Sequence, residues 1–309
     1  MKQKQKNLNQ QTQANQNTPQ SLRSFSFWSW LVLLSLFVAI FIYFLNHYQE
    51  AEESLTYFPE DSHSYFKHTE TLLSLERKPS GYALKWQISS QTNQSTYLRE
   101  DLSLLFENGH LIQLYSKWKQ NTDTLHHTQS LTIHQASHFE TISIHHAEIH
   151  HADQKINSKD KMSYAHLYVT KKASDELDSY HIPVEPTEKQ WNETFDQSQQ
   201  QEWHDIITQA EKKYHFDSQD YYSFPLSYLH VFDTNALPGL SIKTTHRAVS
   251  QLWEGLYKGY IQGIQLSHQK TVSPLHSSMP LILYRHKADQ FLIVIKTADG
   301  KIALLKQNI

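Results

Sequence analysis

Leu98-Arg99-Glu100-Asp101-Leu102-Ser103-Leu104-Leu105-Phe106-Glu107-Asn108-Gly109-His110-Leu111-Ile112-Gln113-Leu114-Tyr115-Ser116-Lys117-Trp118 is the stretch from which the fold of this chain is read. Leu98, Leu102, Leu104 and Phe106 keep a period of two, with Glu100 as the one breach. That alternation is the mark of a strand with one face buried. Asn108-Gly109 supplies two residues that tolerate positive φ, as a type I′ turn requires. The return limb alternates again as Ile112, Leu114, Ser116 and Trp118. The stretch therefore predicts an antiparallel hairpin.

The same period extends to both sides. Upstream, a Pro79-Ser80-Gly81 turn precedes Tyr82, Leu84, Trp86 and Ile88, which alternate with Ala83, Lys85 and Gln87. Downstream, strands are expected near 129–135, 140–151 and 162–170. Six or seven strands in succession predict a curved antiparallel meander with one dry face over residues 68–171.

The pattern then changes to the helical period. Residues 172–186 read as a linker ending in Ile182-Pro183-Val184-Glu185-Pro186, where two prolines stop strands. Thr187-Glu188-Lys189-Gln190 has the form of a capping box. Trp191, Phe195, Trp203, Ile206, Ile207, Ala210 and Tyr214 predict one long helix or two. A second helix is expected over 244–264, with Gly255, Gly259 and Gly263 on one stripe beside its apolar face. Each glycine costs a helix about 1 kcal/mol against alanine, so the stripe predicts close packing on another element. Three closing strands are expected, Leu281–Arg285, 291–295 and 302–305. The middle one is apolar on both faces and hence central and covered. The fold class is α+β: a β-meander half over 68–171, then a helical half over 187–309 ending in a three-stranded antiparallel sheet.

Residues 27–45 contain no charge, no glycine and no proline. About 20 apolar residues in a helix cover a bilayer core of roughly 30 Å. A single N-terminal transmembrane helix is expected over 27–46, retained as a signal-anchor. The exit Asn46-His47-Tyr48-Gln49-Glu50-Ala51 lacks the small residues of a cleavage site. Lys2, Lys4, Lys6 and Arg23 precede the run and no acidic residue does, which orients the N-terminus to the cytoplasm. The expected order is a disordered cytoplasmic tail 1–26, the span, a juxtamembrane stalk 47–67, and the extracytoplasmic remainder. The partner this implies is the lipid bilayer through residues 27–46, with an envelope protein as a second possibility.

Composition excludes several functions. Of 28 Lys and Arg, 24 lie beyond the span and face 31 Asp and Glu. That negative balance disfavours nucleic acid. There are no cysteines, so no thiol chemistry and no Cys-ligated zinc. Only seven glycines occur and no phosphate-cradling glycine loop is present, which disfavours nucleotides. No G-x-S-x-G occurs, and four S-x-x-K matches come without their companion motifs. No catalytic residue is assigned.

Histidine is the compositional excess: eight of 21 lie within 126–151. On a strand His146, Glu148 and His150 share a face with Ile142 and Ile144, about 7 Å apart in succession. With His134 or His166 from a neighbouring strand, they are the candidate ligands for Zn²⁺ or Cu²⁺. The leading expectation is a non-enzymatic accessory, scaffold or sensor of the cell envelope. The alternatives are a ligand- or metal-binding module on the His-rich strand, and an anchored hydrolase, which would need a deep cleft with two or more facing carboxylates or a Ser–His contact.

Overall fold

The computed structural model describes residues 55–308 apart from Ser80, Ala173, Asp175, His268, Gln269 and 286–289, together with Leu34 and Val38. The expected tail, the rest of the expected span and residues 47–54 of the stalk lie outside the described residues. Among the described residues no helix is long and apolar enough to cross a membrane.

The fold is α+β and mostly strand. Six strands build the first sheet: β1 (Phe66–Lys78), β2 (Gly81–Glu107), β3 (His110–Ile133), β4 (Ser137–His150), β5 (Ile156–Lys171) and β6 (Leu177–Tyr180). The order is β1-β2-β4-β5-β6, with β3 paired to the other edge of β2. The hairpin turn has Asn108 at φ 48° and Gly109 at φ 78°, as its sequence predicts.

Two expectations are corrected here. The alternating segments 82–88 and 98–106 are not separate strands but the two ends of the 27-residue β2, and 112–118 and 129–133 likewise belong to the 24-residue β3. The ribbon they form shifts register between Gln91 and Thr96, and Asn121 opposite that point has φ 51°. A bulge bends a strand and increases its twist. Here the ribbon folds back far enough for Tyr115 and His127, twelve positions apart on β3, to stack with centroids 3.4 Å apart. One edge of β2 can thus serve two partners, β1 along 81–92 and β4 along 98–107.

The second correction is that both faces of the sheet bury apolar residues. Its inner face closes over Leu73, Leu84, Trp86, Leu105, Phe139 and Val169. Its outer face contributes Leu102, Leu104, Phe106, Ile142, Ile144 and Met162 to a core shared with the C-terminal half. The stretch expected as linker also holds β6, which extends the first sheet beside β5.

The C-terminal half begins with a single helix, α1 (Pro186–Tyr214). Its cap lies two residues earlier than the motif suggested: Glu188 accepts hydrogen bonds from the N–H groups of Val184 and Glu185, and Pro186 occupies the first turn, where its missing donor costs nothing. β7 (Tyr222–Pro225) leads into a 3₁₀ helix (Leu226–Asp233). α2 (Ile242–Leu256), capped by Ser241, runs on into a π-helical turn (Tyr257–Ile261). A small ribbon follows, β8 (Ile264–Ser267) and β9 (Lys270–Val272). β10 (Leu281–Arg285), β11 (Gln290–Lys296) and β12 (Ile302–Asn308) then close the chain. The terminal sheet has four strands in the order β12-β11-β10-β7, because the aromatic segment at 222–225 pairs with β10. β11 is central and covered as its composition predicts. Leu292 and Val294 face Ile206 and Ala210 of α1. Phe291, Ile293 and Ile295 join Ala248, Leu252 and Leu256 of α2.

The glycine stripe packs as anticipated for two of its members. A Cβ on Gly259 would stand 3.0 Å from Leu305 Cδ1, and one on Gly255 would meet the Gln307 side chain. Gly263 is not part of the helix; at φ +136° it lets the chain leave the π turn for β8.

Candidate functional site

Register decides what surrounds the His-rich strand. Across β2, β4 and β5 the residues Glu100, His146 and Asp160 stand side by side, and Leu98, Glu148 and Ser158 form the next such row. His146 and Glu148 do share the face of Ile142 and Ile144, as the period of two requires. The third expected ligand, His150, reaches Glu148. His150 is exposed at the strand end, stacked on Tyr97 at 3.7 Å and bonded to Glu148 Oε2 at 3.2 Å. His166 lies opposite Glu140, far along β5, and His134 is exposed beyond the end of β3. Among the described residues no group of three or more His, Asp and Glu is placed to hold a metal ion.

His146 and Asp160 instead form a buried ion pair. Nδ1 lies 2.6 Å from Asp160 Oδ1, and the imidazole is 2% exposed. Burial acts against charge on the ring, but Asp160, Glu148 and Glu100 outweigh it and push the pKa up to about 10. The imidazolium in turn overcomes burial at Asp160 and holds that carboxyl below its ordinary range, helped by a hydrogen bond from Ser250. Nε2 of His146 is buried without a hydrogen-bond partner, 3.9 Å from Glu148 Oε1. Glu100, the breach in the alternation of β2, is thus one of the carboxylates that keep His146 charged.

The Asp160 side of the pair faces a cavity of about 590 Å³. Its walls come from three places: segment 57–62, the first half of β5, and the 3₁₀ helix with the first three turns of α2. The segment is held to the free edge of β5. Ser158 donates its N–H to Pro59 O at 3.0 Å and accepts the N–H of Asp61 at 2.8 Å, and Lys159 pairs with Glu60. On the opposite wall Asp233 Oδ2 accepts the N–H of Met162 at 2.9 Å and lies 3.3 Å from Lys161 Nζ. Burial nonetheless pushes the pKa of Asp233 up, against those neighbours. Tyr57 donates its N–H to Glu254 at 3.2 Å, and burial raises its phenol, partly offset by Arg247.

The helical wall carries the charges left over. Lys243, Arg247 and Ser250 recur every three or four residues and so share one face of α2. Among the described residues neither Lys243 nor Arg247 has a carboxylate within ion-pair distance. The other Lys, Asp and Glu side chains of the lining are paired: Lys159 with Glu60, Lys161 with Asp233, Asp160 with His146 and Asp61 with His151. A ligand there meets two free cations, a hydroxyl and an apolar floor of Met162, Phe232 and Trp253.

No family model, curated protein or solved structure matches this chain. Its function is read from these residues. Sequence reasoning missed the cavity because no part of it is a local motif. Glu100, the unexplained acid in an apolar face, signalled only the row it shares with His146.

Proposed function

We propose that the chain is a single-pass membrane-anchored protein whose extracytoplasmic part is a binding module, a sensor or accessory of the cell envelope. The cavity carries the reading. Its size falls within the range of small-molecule sites, about 300–1,000 Å³. Its lining sets apolar side chains, Met162, Phe232 and Trp253, among charged and hydroxyl groups, so that one part can supply affinity and the other orientation. The two cations of α2 without counter-charges favour a ligand with a carboxylate or phosphate group, since an anion there completes pairs rather than breaking them. The anchoring part rests on the apolar run 27–45 and the charge asymmetry around it.

The test is a melting series of the full chain in detergent against inorganic phosphate, citrate and glutamate. A ligand at 100 times its Kd stabilises by about 2.7 kcal/mol, a readily measured rise in Tm. The expected result is a saturable rise with at least one of the three, abolished in Arg247→Ala with Lys243→Ala. A flat response to all of them removes the anionic-ligand reading.

A further inference from the structure

The inner face of the folded ribbon holds a second row that the cavity does not touch. His145 is fully buried, and its Nε2 lies 2.7 Å from Ser163 Oγ on β5. Its Nδ1 lies 3.0 Å from Asp101 Oδ1 on β2. Asp101 is itself fixed: Ser90 Oγ donates to both carboxylate oxygens, at 2.8 and 2.7 Å, and the buried guanidinium of Arg99 stands 3.8 Å away. The three residues come from three strands, separated by 44 and 18 positions in the chain.

A hydroxyl against Nε2, with a buried carboxylate against Nδ1, is the arrangement by which an imidazole activates a serine. A proton on Nδ1, on the side of the carboxylate, would leave Nε2 to accept the serine proton. The exposure gradient runs the right way. Asp101 and His145 are buried, while Ser163 is half-buried on β5, between Ser158, where segment 57–62 attaches, and residues 168–171, where β6 pairs. The Nδ1 contact is close but off the line of a hydrogen bond. Catalytic bonds of this kind commonly tighten only when substrate is bound.

We infer that Ser163, with His145 as general base and Asp101 orienting it, is a nucleophile toward small activated esters. Ser163 Oγ forms a bond to the acyl carbon as the ester C–O bond breaks. The serine proton passes to His145 Nε2 and on to the departing alkoxide. Water then repeats the sequence, giving its proton to His145 and releasing the acid while the serine is restored. Ser163 does not line the cavity. A row that does not open into a preformed cleft depends on a good leaving group, since acyl transfer without aligned oxyanion donors is slower by about 10²–10³.

The probe is an alkyl fluorophosphonate on the full chain. The Oγ–P bond forms, the P–F bond breaks, fluoride leaves, and the proton passes through His145 to solvent. The expected result is one adduct per chain, mapped by peptide mass to Ser163. His145→Gln should slow labelling by about 10²-fold or more. Ser143→Ala removes a hydroxyl that bonds the same Thr71 as Ser163 does, each at 2.6 Å, but does not touch His145; it should label at the rate of the unaltered chain. An unlabelled chain overturns the inference, and so does an adduct on any other residue. That readout on the unaltered protein requires no variant to fold, and it is independent of the melting series on the cavity.

Discussion

His146 carries a proton where burial alone would remove it. Three carboxylates supply the opposing field, and only one of them, Glu148, is its sequence neighbour. Because its folded pKa lies above the ordinary value of 6.5, its contribution to stability is fully present below about pH 6.5 and is lost as pH rises through about 10. Asp160 has the opposite sign: its contribution is present above its ordinary pKa of 3.8 and fades as pH falls below it. The difference in Tm between the unaltered chain and His146→Gln should therefore be largest near pH 6 and shrink toward pH 10.5. A difference that is constant over that range means the ring is neutral in the fold. At this scale the sequence marked both features, the His excess and the misplaced Glu100, without showing that they meet. The eight histidines of 126–151 are not one cluster: His145 and His146 point to opposite faces because successive residues of a strand do.

Among the elements, α2 and its π-helical continuation are positioned by what they lack. Gly255 and Gly259 let the helix lie directly against Gln307 and Leu305 of β12. Gly259→Leu forces a side chain into space that Leu305 already fills. Overpacking of this kind costs about 1–3 kcal/mol. Urea unfolding should show that loss, with a Gly300→Ala variant as the contrast. Gly300 has open space around its would-be Cβ, so its cost comes from φ +79° alone. A Gly259→Leu variant as stable as the unaltered chain means that β12 gives way without penalty. The helical spacing of this segment was legible, and so was the need for close approach. The end of the α-helix at Leu256 was not, because the apolar period continues through Tyr260 and Ile261 while the hydrogen bonds lengthen to the π pattern.

For the whole molecule, the described residues from 55 onward pack as one unit, and the core on the outer face of the first sheet is completed by α2 and the terminal sheet. The anchored reading makes a prediction at this scale. Protease added to intact cells should digest this unit and leave a small N-terminal fragment, and the mature chain should retain residues 27–45. Protection of the unit, or a mature N-terminus beyond Asn46, removes the proposed placement.

Local patterns settled much of the architecture in advance. The Asn108-Gly109 turn, the alternation on either side of it, the two amphipathic helical segments and the covered strand 291–295 all follow from nearest-neighbour chemistry. Turn sterics and side-chain period act over a few residues and need no distant partner. The fold-back of the β2–β3 ribbon, the pairing of β4 with β2 rather than β3, and the two His-centred rows were decided by tertiary structure. Each row joins strands across tens of residues. Which acid stands opposite which histidine depends on strand register, and register is set by the packing of both faces together.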